Sequence, residues 1–540
     1  MRARALLVAL VLACTCTLFG QNGGGQNGGE LRFCLRSDPK TFNPLLVNDD
    51  ASETVRYLTA GFLLRVNRLT QQPEPDLAIS WKILNQGKSI RFKLRPDVRY
   101  SDGTPFSAVD VAYTMQRLLD GSVHSATSDA FRSGEGKLVT RVLSPTLIEL
   151  NFPAPVANLA YLFDFVPILS STSPQKEMAA LGPFFVAEHK AGAFVLLKRN
   201  PNYWKKDPQG RQLPYLDSVR LEVEQNPDIE AMRYERGEID LINTVSPAIY
   251  EKLSSVNASS VRDAGPSTDV EEIWFNQVPS APIPAYKKQW FASTAFRHAI
   301  SEAINRQDMA RLVFRGHAVP AAGNVPQSNK FWFNANLQPQ GYDTSGALRR
   351  LQSDGFRMEN QQLRDKNGNP VEFSIVTNAG NRSREQMATM IQQDLKKIGI
   401  KVNVVTLDFN SLLERMTQTF NYEACLLGTV NGDLDPSSQM TMWLSSGEDH
   451  IWNPKEKAPA TAWEAEIDKQ MRIQASTLDL HKRKAAWDQV QKIAWEQAPV
   501  IYLVNKDSLV AISPQIKNAQ PSPFRPQAYW NIENLMLARR

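Results

Sequence analysis

Between residues 75 and 119 the apolar positions recur with two different periods. Ile90, Phe92 and Leu94 alternate with Arg91 and Lys93, the period of a half-buried strand, and Asn85-Gln86-Gly87 supplies the turn before it. Asp102-Gly103 turns the chain again. Ser107, with Asp110 three residues on, reads as a capping box opening a helix whose apolar face is Ala108, Val111, Ala112, Met115, Leu118 and Leu119. A second patterned region lies far downstream. Val371, Phe373 and Ile375 predict a strand. Ser383 with Gln386 predicts a helix start, Met387, Met390, Ile391, Leu395 and Ile398 its buried face, and Gly399 its end. Ile400, Val402 and Val404 predict the next strand, which completes a βαβ unit with parallel strands. Open α/β sheets bind ligands outside the carboxyl ends of their strands, so the loop 378–382 occupies a binding position. A later strand, 422–430, runs into a second polar loop, Asn431-Gly432-Asp433-Leu434-Asp435-Pro436.

Composition adds bounds and few specifics. A chain of 540 residues, 42% hydrophobic and 22% charged, can bury large cores and should divide into two or three domains. Its mean hydropathy of -0.35 is that of a soluble chain. The net charge of +5 comes from interspersed Lys and Arg with no basic run, so a solvated mixed-charge surface is expected and a nucleic-acid partner is not.

Catalytic signatures are missing. No G-x-S-x-G elbow and no H-E-x-x-H pair occurs, and Gly87-Lys88-Ser89 lacks the upstream Gly of a phosphate loop. His124, His189, His298, His317, His450 and His481 are scattered without ligand spacing, so neither a metal nor a cofactor is expected. No pair of carboxylates stands out as an acid/base couple, and no catalytic residue is assigned.

Arg2 and Arg4 precede an apolar run over residues 5–13, too short to span a bilayer, which is the layout of a secretory signal. Val11-Leu12-Ala13-Cys14 resembles a bacterial lipobox and points to lipidation at Cys14, with Cys16 the poorer alternative and an ordinary cleaved leader the other reading. The following QNGGGQNGG is a flexible tether. Residues 1–20 are therefore read as leader and 21–29 as tether. Cys34 and Cys425 each lie in an apolar run, LRFCL and YEACLLG, and are expected as unpaired small hydrophobes.

Several motifs then follow in a fixed order: the stretch 75–119, Gly182-Pro183-Phe184, the run Leu197-Lys198-Arg199-Asn200-Pro201-Asn202-Tyr203-Trp204, Leu213-Pro214-Tyr215-Leu216-Asp217, Gly237-Glu238-Ile239-Asp240, Phe275-Asn276, the segment from Phe296 to Arg306, and Tyr342-Asp343. Taken together they resemble the family 5 extracellular solute-binding proteins, the dipeptide and oligopeptide receptors of bacterial ABC importers. Asn305 departs from the Asp usual there. The resemblance implies an α/β, two-lobed fold of the periplasmic-binding-protein type II kind, with an additional subdomain inserted in the first lobe. Mapped onto this chain, lobe I comprises residues 30–65, 181–264 and 507–540, the insert 66–180 and lobe II 265–506, with hinge strands at 271–276 and 500–505.

The resemblance also implies a function: a monomeric, non-enzymatic receptor, periplasmic or at the cell surface. It would bind a peptide or other small solute between its lobes and deliver it to an ABC permease with ATPase subunits, touching the membrane only through a lipid anchor. The family holds peptides as extended strands by main-chain hydrogen bonds. An oligosaccharide, a metal chelate or an opine is the alternative ligand, and a sensory module or an enzyme on the same scaffold is the alternative of another class. In the peptide receptors an Asp before an Asp-Pro binds the ligand ammonium. Counting back from Asp435-Pro436 without a gap places that anchor at Gly432, and a one-residue shift places it at Asp433; Thr429 stands where Trp is usual. Asp433 and Asp435 could equally shape a turn. Arg382 is the implied partner of a ligand carboxylate, with Arg384 a neighbour expected to face solvent. Trp274 and Asn276, at the hinge, are candidates to line the cleft, Trp274 being equally a candidate for the core.

Overall fold

The computed structural model describes residues 25–26, 28–120, 131, 136–430, 434–454 and 456–538. The early pattern forms as its periodicity requires. The strand Ser89–Leu94 buries Ile90, Phe92 and Leu94 and exposes Arg91 and Lys93. Asn85, Gln86 and Gly87 all take positive φ, turning the chain back from the preceding strand Ala78–Leu84. The helix Ala108–Leu118 starts at the capping box: the Ser107 hydroxyl accepts from the backbone, and the Ser107 N–H donates to Asp110 Oδ2 at 2.7 Å. These elements belong to a four-stranded antiparallel sheet in the order Ala78–Leu84, Ser89–Leu94, Leu147–Asn151, Val139–Ser144, which shares one core with the helix.

A second four-stranded sheet has the order Glu30–Leu35, Ser218–Val223, Phe194–Arg199, Phe184–Lys190, with Glu30–Leu35 at its edge and parallel to Ser218–Val223. Leu31, Phe33 and Leu35 pack into its core with Val55 and Leu58 of the helix Asp50–Thr59 and with Tyr529 near the C-terminus. Residues 500 positions apart in sequence thus share one core.

The third sheet has seven strands and contains the βαβ unit. Glu372–Asn378 pairs in parallel with Lys401–Leu407 on one side and with Ala424–Val430 on the other. Because Glu372–Asn378 and Ala424–Val430 are adjacent and parallel, the loops that follow them leave the same edge of the sheet. The helix between the first two strands begins earlier than its pattern predicts. The N-cap is Asn381, whose Oδ1 accepts the Arg384 N–H at 3.1 Å, so the helix runs Arg382–Lys396 and Ser383 lies inside it.

Two long strands of the same sheet, Val261–Phe275 and Val500–Ile512, pair antiparallel, and Val500–Ile512 also pairs with Leu241–Ile242 at the sheet's far edge. Their register is interrupted between Asp263, Pro266 and Val270, and again between Glu271 and Glu272. Beyond this crossing, two hydrogen bonds join the region before residue 160 to the region after residue 320. The Gln71 amide donates to the Ser328 carbonyl at 2.6 Å, and the Ala157 N–H donates to the Ala475 carbonyl at 3.1 Å. Cys34 and Cys425 are both free. Among the described residues no helix is long and apolar enough to cross a membrane.

Candidate functional site

The edge strand Glu30–Leu35 and the N-terminal half of the helix Asp50–Thr59 wall a cavity of about 320 Å³. Its other walls are Arg68, Glu230, Ile242–Thr244 and Arg525–Gln527. The lining is mixed. Phe33 stacks on Tyr529 with ring centroids 5.1 Å apart, and the Tyr529 hydroxyl meets the Thr54 hydroxyl at 3.0 Å. Charged side chains line the remainder, each with a partner: Arg36 with Glu230 at 2.6 Å, Arg525 with Asp50 at 3.4 Å, and Arg68 with Asp164, which lies outside the lining, at 3.0 Å. Arg525 also reaches Asp269 on Val261–Phe275 at 3.9 Å, connecting the cavity wall to the crossing strands.

Glu230 and Cys34 have perturbed acidities here. Burial pushes the Glu230 carboxyl up to about 7, against the opposing pull of Arg36. Burial likewise pushes the Cys34 thiol up to about 12, which makes it an inert neutral group at the cavity wall. Neither Arg36, Asp50, Glu230 nor Arg525 stands out in the sequence. Their pairing joins segments nearly the whole chain apart, Asp50 to Arg525 for instance, and no local spacing encodes it.

On the second-lobe side the residues expected at the site divide. Gly432 and Asp433 lie outside the described residues, as does Cys14. Thr429 is half-buried near the end of Ala424–Val430, with its hydroxyl beside the Glu272 carboxyl. Arg382 is exposed in the first turn of its helix. Arg384 does not face solvent. Its guanidinium turns in over the sheet and donates to Glu271 Oε2 and to Asn378 Oδ1, both at 2.8 Å. Glu271 in turn pairs with Lys506 at 3.1 Å. The ion pair passes over Gly428, which sits opposite Glu271 in register and has no Cβ to obstruct it.

Trp274 and Asn276 are both buried in the second lobe and do not line an open cleft. Trp274 packs among Tyr422, Trp443, Trp452 and Trp487, and its indole N–H points at the Tyr422 hydroxyl. Asn276 is fully used by the backbone: its amide donates to the Phe420 and Tyr422 carbonyls, each at 2.8 Å, and its Oδ1 accepts from Val278. Asp435 is more than a turn residue. It caps the turn at Ser437 and holds the buried Arg483 through both carboxylate oxygens, at 2.7 and 3.0 Å.

Glu271 and Glu272 have opposite acidities. Burial disfavours the Glu271 charge, but Lys506 and Arg384 outweigh it and hold the carboxyl below its ordinary range. Glu272, the next residue, projects to the other face of the strand beside Val270 and Trp274, where burial pushes it up to about 8. Two carboxylates on opposite faces of one strand cannot act on the same substrate atom, so the pair is not an acid/base couple.

The chain's relatives match it over nearly its whole length. The family model for bacterial extracellular solute-binding proteins, family 5, matches residues 72–450. A probable ABC transporter-binding protein of Deinococcus radiodurans is 28% identical, covering 89% of this chain and 87% of that protein. The oligopeptide-binding protein AppA of Bacillus subtilis is 25% identical, covering 96% of this chain and 93% of that protein. The structure of AppA in complex with a nonapeptide covers 96% of this chain and all of that chain, with a TM-score of 0.73 at 23% identity. The structure of NikA from Brucella suis in complex with Fe(III)-EDTA covers 94% of this chain and 100% of that chain, with a TM-score of 0.79 at 21% identity. The two-lobed periplasmic-binding architecture is therefore the fold of this protein, and the chain belongs to the bacterial extracellular solute-binding proteins of family 5, the substrate-binding components of ABC transporters.

Proposed function

We propose that this protein is the receptor of a peptide importer, binding peptides between its lobes without altering them and passing them to a membrane permease. The observation that carries this reading is the cavity beside an edge strand. Arg32 spends its N–H and C=O on Asp240, at 2.8 and 2.7 Å, and the chain continuing from it, Phe33–Ser37, forms the cavity wall. A strand edge at a cavity wall suits an extended peptide held through its main chain, which gives affinity with little dependence on side chains. The paired charges around it supply partners for a ligand's termini. Relatives named for oligopeptides and dipeptides support the same ligand class. The neighbour solved with Fe(III)-EDTA keeps a metal chelate as the second reading.

The lobes, divided near residues 264 and 507, would close by bending where the register of Val261–Phe275 and Val500–Ile512 breaks. Asp433 is our choice for the ammonium anchor and Arg382 for the carboxylate partner. The receptor would act as a monomer tethered through a lipid on Cys14.

The test is calorimetric titration with short peptides, free and N-acetylated, on the native protein and on Asp433→Asn. An ammonium contact in a closed cleft predicts that acetylation and the substitution each weaken binding at least tenfold, and that acetylated peptide loses little more on mutation, since removing one partner of a buried charge pair costs ~2 to 5 kcal/mol. Equal affinity for free and acetylated peptides would move the anchor to Gly432 and the ligand away from free peptides. Recovery of intact peptide after binding checks that no chemistry occurs, and small-angle scattering checks closure.

A further inference from the structure

We propose that the second lobe holds a divalent transition-metal ion, zinc above all, between His450, Glu456 and Glu464. The three side chains come together far from the cavity wall just described. His450 lies in the loop after Met440–Trp443, Glu456 follows on the same loop, and Glu464 is in the first turn of the helix Ala462–Ser476. His450 Nε2 stands 3.4 Å from Glu456 Oε2 and 3.7 Å from Glu464 Oε1, and all three ligand atoms lie within 4.8 Å of one another.

These separations are too long for good hydrogen bonds, which run to ~3.2 Å for N–H···O. They are close to the edge of a tetrahedron around a small ion, about 3.3 Å when metal–ligand bonds are about 2.0–2.1 Å.

The protonation pattern points the same way. His450 Nδ1 lies 3.0 Å from the Met442 carbonyl, which can only accept, so Nδ1 carries the hydrogen. In the neutral ring Nε2 then presents a lone pair toward two carboxylates, and it is fully buried with no hydrogen-bond partner. An imidazole whose second nitrogen donates to a backbone carbonyl is the usual arrangement behind a metal-ligating histidine. Both oxygens of Glu456 are buried as well.

Glu464 is oriented by its surroundings. Its Oε1 accepts from the Trp452 indole at 3.0 Å, and its Oε2 closes the capping box with Thr461. Trp452 packs against His450 at a tilt with centroids 4.0 Å apart, and Trp443 and Trp463 pack against Trp452, so the surroundings are dry. Two carboxyl groups and an imidazole thus face one another in a dry pocket. Among the described residues no Lys or Arg forms an ion pair with Glu456 or Glu464. Arg297, which feels Glu464, spends its donors on the Phe291, Gln497 and Ala498 carbonyls. A divalent cation would join all three groups, and a mixed nitrogen and oxygen donor set suits zinc.

A second cluster, Asp263, His317 and Asp507, lacks this feature. There Nδ1 faces Asp263 at 2.8 Å and Nε2 faces Glu251 at 3.0 Å, so both ring nitrogens are already satisfied.

The full chain, stripped with chelator and dialysed, is titrated with ZnCl₂ by calorimetry and with CoCl₂ by visible absorption. One zinc per chain is expected, with a cobalt spectrum of low coordination number. His450→Gln and Glu456→Gln should each weaken zinc binding at least thirtyfold and abolish the cobalt spectrum, while His317→Gln leaves both unchanged. Glu456 sits on a loop, so its variant still reports on the site if the His450 variant fails to fold. Zinc binding that survives Glu456→Gln, that is lost in His317→Gln, or that is absent from the native chain would overturn the assignment.

Discussion

Replacing Glu272 by Gln should stabilise the protein by an amount that grows with pH. The side chain is fully buried between Val270 and Trp274, with the Thr429 hydroxyl beside its carboxyl. Burial raises its pKa from 4.5 to about 8. Over the interval between those values the folded chain keeps a proton that the unfolded chain has lost, so stability falls as pH rises. At 1.36 kcal/mol per pKa unit the penalty is about 1 kcal/mol at pH 5, roughly 3 at pH 7, and approaches roughly 5 above pH 8. Gln preserves the shape and removes this dependence, leaving only the constant cost of a buried amide. Urea unfolding of ligand-free protein at pH 5, 7 and 8.5 should show the variant's advantage widening by about 2 kcal/mol over the first interval. Parallel pH profiles for the two proteins would mean that Glu272 is ionised in the folded state, and the reasoning from its burial would be wrong.

Three further substitutions test the site's framework. Asp435→Ala strands the buried Arg483 guanidinium and should cost ~3–5 kcal/mol by chemical denaturation, as loss of one partner of a buried ion pair does. Gly428→Ala places a methyl 2.6 Å from the Arg384 guanidinium and 2.8 Å from the Glu271 carboxylate; the expected loss of ~1–3 kcal/mol should largely disappear in an Arg384→Ala background, which a double-mutant cycle measures. At His317 burial opposes the charge, yet the Glu251 and Asp263 carboxylates raise the pKa above 6.5. A raised histidine pKa contributes stability that is complete below the unfolded value and lost as pH rises through the folded one, so thermal melting from pH 6 to 8.5 should fall less steeply in His317→Gln.

What the sequence determined by itself is local. The strand Ser89–Leu94, the capping box at Ser107 and Asp110, the parallel βαβ unit, and the free buried state of Cys425 were legible because each depends on residues within a few positions of one another. The ordered motifs carried the family for the same reason. Even at this range the competition between caps was not decided in advance: Asn381 starts the helix two residues before the place that Ser383 suggested, because its side chain reaches the Arg384 N–H. The orientations of the candidate site residues were set by the tertiary structure. Arg384 turns inward because Glu271, 113 residues away, lies across a glycine in the neighbouring strand. Asn276 is consumed by two carbonyls of a distant loop, and Trp274 by an aromatic core. The cavity charges Arg36, Glu230, Asp50 and Arg525 meet only once the chain's two ends fold into one lobe. His450, Glu456 and Glu464 have no chelating spacing, and only the packing of a loop on the end of a helix points them at a common centre. Periodicity reports which face of an element is buried. Which charge it meets there is a long-range pairing, and that information exists only in the folded chain.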